Sequence, residues 1–96
     1  MIRFRPNHVT LSASIKDEQI FSSMEDMLAS VFDYWSRVVA FMGAADPFRP
    51  EEITISDSSR PNPDVGYRNE HKVFVSRMAD NVYPSPLCIG YCEMEV

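Results

Sequence analysis

The segment from Ser22 to Gly43 constrains the fold more than any other part of the chain. Ser22-Ser23-Met24-Glu25 reads as a capping box: the Ser22 hydroxyl accepts from the third helical N–H, and Glu25 reaches back to the Ser22 N–H. Gly43 suits the left-handed residue that closes a helix, and Pro47 stands just beyond, where a helix is not continued. About twenty residues between these marks give a helix about 30 Å long. Stepping about 100° per residue places Glu25, Asp26, Ala29, Ser30, Asp33, Ser36, Arg37 and Ala40 within an arc of roughly 140°. Met24, Met27, Leu28, Val31, Phe32, Tyr34, Trp35, Val38, Val39, Phe41 and Met42 fill roughly 180° on the other side. Trp35 lies near the middle of that apolar arc and is the expected core anchor.

The apolar arc is wider than the stripe of a little over 100° that a helix buries against one sheet. Tyr34 and Phe41 lie on one margin, Phe32 and Val39 on the other. Either the domain's own segments cover these margins or a second protein chain does.

Around the helix the period changes to two, which marks strands. Val9, Leu11, Ala13 and Ile15 alternate with Thr10, Ser12, Ser14 and Lys16, after a short lead-in at Ile2–Arg5 that Pro6 ends. Ile53 and Ile55 alternate with Thr54 and Ser56, and Val73 and Val75 with Lys72, Phe74 and Ser76 in a strand over His71–Met78. The last extended segment is Val82–Val96, where Leu87, Ile89 and Tyr91 alternate with Cys88, Gly90 and Cys92. Pro84 and Pro86 put its first part at an edge or outside the sheet. With 96 residues, 45% of them apolar, the chain has the material for one core and a single domain over 1–96. The expected fold class is α+β: one long amphipathic helix on a mostly antiparallel sheet of about four strands, in the order β-α-β-β-β.

Nine Lys and Arg against fourteen Asp and Glu leave a net charge of −5, which argues against direct binding to nucleic acid. The longest unbroken apolar run, Val38–Met42, is far short of the ~20 residues of a membrane helix. No apolar run of signal-peptide length follows Arg3 and Arg5, so a cytoplasmic location is expected. Cys88 and Cys92, four apart on one strand, would face the same side roughly 13 Å apart, too far for a disulfide. Two reduced cysteines acting as small apolar residues are expected.

Chemistry-bearing patterns are sparse. The chain's glycines, Gly43, Gly66 and Gly90, do not sit between a strand and a helix start, so no nucleotide loop and no cofactor are expected. The C-x-x-x-C spacing is not a usual zinc spacing, and no metal site is expected. The carboxylate pairs Asp17-Glu18, Glu25-Asp26 and Glu51-Glu52 read as solvated, as do Glu93 and Glu95. The long loop Asp57–Asn69 gathers Arg60, Tyr67 and Arg68 with Asn62 and Asn69. Loops of that length are often functional, and Arg and Tyr are enriched at binding hot spots.

Phe32-Asp33-Tyr34-Trp35, Val39-Ala40-Phe41-Met42-Gly43, Pro47-Phe48, Ile53-Thr54-Ile55-Ser56-Asp57 and the ending Cys88-Ile89-Gly90-Tyr91-Cys92 form a recognisable set. Together they resemble small uncharacterised proteins of Gram-positive gut bacteria and their mobile elements. The resemblance covers most of the chain from Val9 onward. It implies a bacterial or phage-derived cytoplasmic protein and brings no activity or catalytic residue with it.

The leading expectation is a small non-enzymatic module that binds another protein or itself, with Tyr34, Phe41, Arg60, Tyr67 and Arg68 as candidate contact residues. A second reading is an acidic inhibitor that occupies the phosphate site of a nucleic-acid-processing enzyme. A third is a small enzyme pairing Cys88 or Cys92 with His71.

Overall fold

The computed structural model describes residues 1–6, 18–56, 60–62, 67–80 and 82–93. One helix, α1 (Met24–Phe41), packs on an antiparallel sheet of β1 (Ile2–Pro6), β2 (Gln19–Phe21), β3 (Ile53–Ile55), β4 (Arg60–Asn62), β5 (Tyr67–Arg77) and β6 (Val82–Glu93). The order across the sheet is β2-β1-β6-β5-β3, and the short β4 also pairs with β5. The α+β class holds, with more strands than the expected four. The strand expected at Val9–Ile15 lies outside the described residues. Ile2–Arg5, expected as a lead-in, instead supplies an inner strand, β1, between β2 and β6. Its Pro6 sits at the strand's end, where a missing ladder donor does least harm.

The helix starts one residue later than the sequence suggests. Ser23 is the N-cap, with extended backbone, and its hydroxyl accepts from the Asp26 N–H at 3.2 Å. Ser22 donates instead to the Asp26 carboxylate. At the other end Gly43 has φ +83°, and the Gly43 and Ala44 N–H groups bond to the Ala40 and Val39 carbonyls. This double closure satisfies carbonyls that the helix leaves open, and it turns the chain sharply into the connector 44–49.

Met27, Val31, Trp35, Val38 and Val39 of α1 are buried against Ile2 and Phe4 of β1, Val73 and Val75 of β5 and Ile89 and Cys92 of β6. The Trp35 indole N–H donates to the Arg77 carbonyl at 2.9 Å, so the expected anchor is satisfied at its polar end as well.

Strand β6 departs twice from simple alternation. Val73 pairs with Gly90 and Phe74 with Cys88, so Ile89 is an extra residue in the ladder. The bulge reverses the parity: Leu87, Gly90 and Cys92 share the helix face, while Cys88 and Tyr91 share the other. Cys88 and Cys92 therefore lie on opposite faces, not the same one as unbroken alternation implies. Gly90 lies under the Phe4 ring, where a Cβ would come within 2.6 Å of two ring carbons. Further along, Val75 pairs with Leu87 and Arg77 with Val82. Between these pairs a single residue of β5, Ser76, faces four of β6, residues 83–86, and Pro84 and Pro86 fall in that irregular stretch.

Candidate functional site

On one margin of the apolar arc, Phe32 stacks on Phe48 of the connector, with ring centroids 5.9 Å apart and planes inclined at 23°. Val39 and Phe48 are buried. The connector so placed leaves a groove of about 320 Å³ along α1, between Phe32, Val39 and Ala40 on one side and Ala44, Pro47 and Phe48 on the other. A second hollow of about 340 Å³, lined by Leu28, Ala29, Phe32, Pro50 and Ile53, adjoins it at Phe32. On the opposite margin Tyr34 is half-buried against the core, with the Arg37 guanidinium 5.9 Å above its ring. Phe41 is 86% exposed and its neighbour Met42 half exposed. The domain thus covers most of one margin itself and leaves the aromatic ring at the end of the other in solvent.

The groove's outer wall is a short loop, and polar bonds hold it in place. Arg77 ends β5 on the helix face, in step with Val73 and Val75, and is only 4% exposed. Its Nε donates to Glu52 Oε1 at 2.8 Å and its Nη2 to Glu52 Oε2 at 3.2 Å. Nη2 also donates to the Pro47 carbonyl at 2.6 Å, and Nη1 to the Asp46 and Ala79 carbonyls at 3.0 Å each. A guanidinium has five N–H donors, and all five are used. Glu52 is equally saturated: it also accepts from the Arg49 N–H at 2.8 Å and the Ser76 hydroxyl at 3.2 Å. Asp80 completes the staple by accepting from the Ala45 and Asp46 N–H groups at 2.8 and 3.1 Å. With every Arg77 donor and every Glu52 lone pair engaged, this pair fixes the wall. Of the pair expected to be solvated, Glu51 is exposed but Glu52 is the partner of a buried charge.

These bonds set the acid sensitivity of the wall. The Arg77 guanidinium holds the Glu52 carboxyl below its ordinary value, against the opposing effect of burial. The Ala45 and Asp46 N–H groups hold Asp80 below its own. Arg77 is pushed further up by Glu52 and stays charged. A carboxyl with a lowered folded pKa stabilises the fold above its unfolded pKa, and that contribution is lost as the pH falls through the folded value. We expect the urea midpoint to hold steady near neutrality and to fall below about pH 4.5. Glu52→Gln should be less stable at pH 7 but show a shallower acid decline. Equal slopes in the two proteins would contradict this assignment.

Comparison with protein-family models, with curated proteins and with solved structures finds no match. The site is therefore read from its own geometry.

The other expected contact residues are not gathered in one loop. Arg60 lies on β4, while Tyr67 and Arg68 open β5, so strands interrupt the expected long loop Asp57–Asn69. Arg60 stands in register with Glu70, and Tyr67 with Asn62. His71 stands directly opposite Cys92, as a Cys/His pairing requires, but Cys92 has no exposed surface. The His71 Nδ1 lies 2.8 Å from the Ser56 carbonyl, which can only accept, so that nitrogen carries the proton. Among the described residues, no three His, Cys, Asp or Glu side chains group as a metal ion requires. Among the same residues, no helix is long and apolar enough to cross a membrane.

The groove was half legible in the sequence. Phe32 and Val39 fall on an apolar margin of the helical arc, but the connector that meets them carries no periodic signal. Arg77 was legible by parity alone: the alternation that buries Val73 and Val75 buries residue 77 as well.

Proposed function

We propose that the protein is a non-enzymatic interaction module that binds an aromatic side chain of a protein partner in the groove between α1 and the connector. The observation that carries this reading is the groove itself, preformed and apolar, with its wall held by a saturated arginine. A cavity of about 150 Å³ is enough to bind benzene, and the groove offers about 320 Å³. Phe32, Pro47 and Phe48 give a phenyl ring flat surfaces to lie on. Because the wall is fixed before binding, little ordering cost is left for the complex to meet.

The competing readings draw less support. An acidic mimic needs free carboxylates, and part of the chain's fourteen is engaged: Glu52 by Arg77, Asp80 by the Ala45 and Asp46 N–H groups, Asp33 by Arg37 and Glu18 by Arg3. A Cys92 nucleophile would have to act from a position with no contact with solvent.

N-acetylphenylalanine amide tests the reading, used with the Phe41→Ala variant so that the chain's own exposed ring does not compete. We expect saturable amide and methyl shifts at Val39, Ala40, Ala44 and Phe48 at millimolar probe, lost in Phe41→Ala/Ala40→Glu. Shifts that are absent, or that survive Ala40→Glu, would refute the groove as a binding site.

A further inference from the structure

We infer that the partner is a second copy of this chain, and that Phe41 of each copy seats in the groove of the other. This rests on the groove reading above and adds an independent observation. The Phe41 ring is 86% exposed with half-exposed Met42 beside it, so the end of α1 presents an apolar knob to its surroundings. The groove that fits such a ring begins at the preceding residue, Ala40, and lies at the same level of the helix. Knob and groove are on one molecule, the groove is large enough for a phenyl ring, and the two are displaced around the helix, so a ring cannot reach its own groove.

The geometry also closes. At about 100° per residue, Phe41 lies on one side of the exposed face of α1 and Ser36 and Ala40 toward the other, with Asp33 and Arg37 between them. A two-fold axis parallel to the helices, facing the two α1 segments through Asp33 and Arg37, brings each Phe41 against the other copy's groove at the same height. The contact is isologous, so assembly stops at two copies. It also sets each Arg37 near the partner's Asp33. These two already pair within one chain at 2.9 Å and are largely exposed, so the middle of the contact is charge-complementary to itself. Two rings and their surroundings make a small interface, of the size typical of weak, reversible association.

Sedimentation velocity from about 10 µM to about 1 mM tests this. We expect a concentration-dependent dimer whose dissociation constant rises at least about a hundredfold in Phe41→Ala, since two buried rings are lost. Ala40→Glu, which blocks the groove at an exposed position, should have a similar effect. Both sites lie on the surface, so both variants should keep the wild-type melting temperature. An equimolar mixture of the two variants restores one intact knob and groove per heterodimer and should sediment faster than either alone. A wild type that is monomeric throughout, a dimer indifferent to Phe41, or a mixture with no gain would each overturn the inference. If the wild type is monomeric and N-acetylphenylalanine amide still fills the groove, self-association fails alone. If the amide does not bind, the groove reading fails with it.

Discussion

Replacing Arg77 with Met should cost about 3–5 kcal/mol of folding stability, because it leaves a partly buried charge without its partner. A domain of 96 residues has roughly 5–15 kcal/mol in all, so a large share of its margin would go. The melting temperature should fall by roughly 15 °C or more. The loss has two parts that can be told apart. One is the Glu52 carboxylate; the other is the set of carbonyls at Asp46, Pro47 and Ala79 to which Arg77 donates. Replacing a buried ion pair by apolar residues is often nearly neutral. Here Arg77→Met/Glu52→Leu should recover only part of the loss, because the carbonyls remain without donors. Arg77→Lys should also fall well short of wild type, since an ammonium cannot present the planar fork that meets both Glu52 oxygens. Full recovery in the double variant, read by urea denaturation, would show that the carbonyl bonds contribute nothing. The folded fraction of Arg77→Met should also lose the aromatic probe, because Pro47 and Phe48 are no longer held against Phe32.

Trp35→Ala is the second large effect, also about 3–5 kcal/mol, as expected when a fully buried aromatic is truncated in a closed core. Trp35→Phe separates packing from the hydrogen bond. It keeps much of the apolar contact but leaves the Arg77 carbonyl without its indole donor at 2.9 Å, so about 1–3 kcal/mol should be lost. Because the two side chains meet at residue 77, the Trp35 and Arg77 substitutions should not add: the double variant should cost less than the sum of the singles. Strict additivity would mean that the indole bond and the guanidinium cluster act independently.

The sequence declares its helix because eighteen residues repeat one period and both ends carry local stops. The cap shifts by one residue because Ser22 and Ser23 offer the same hydroxyl, and only the approach from β2 decides which one faces the first turn. Strand β5 is equally plain, from the alternation at Val73 and Val75. Strand β6 is not, since the bulge at Ile89 arises from pairing with β5 and leaves no local mark beyond a glycine. Cys88 and Cys92 fall on opposite faces for that reason alone. The groove needed knowledge of where the connector runs, and that path is set by Arg77, Glu52 and Asp80, which are distant in sequence. Phe41 was legible as a margin residue, but its exposure depends on which margin the connector covers.

The central claim is that the Phe41 ring of one copy lies in the groove of another. The most direct test is an isotope-filtered NOE experiment on an equimolar mixture of ¹³C-labelled and unlabelled chains. Intermolecular contacts are expected between the Phe41 ring protons of one copy and the Val39, Ala40 and Ala44 methyls of the other, absent in Phe41→Ala. A filtered spectrum without those contacts, at a concentration where the protein is dimeric, would contradict it.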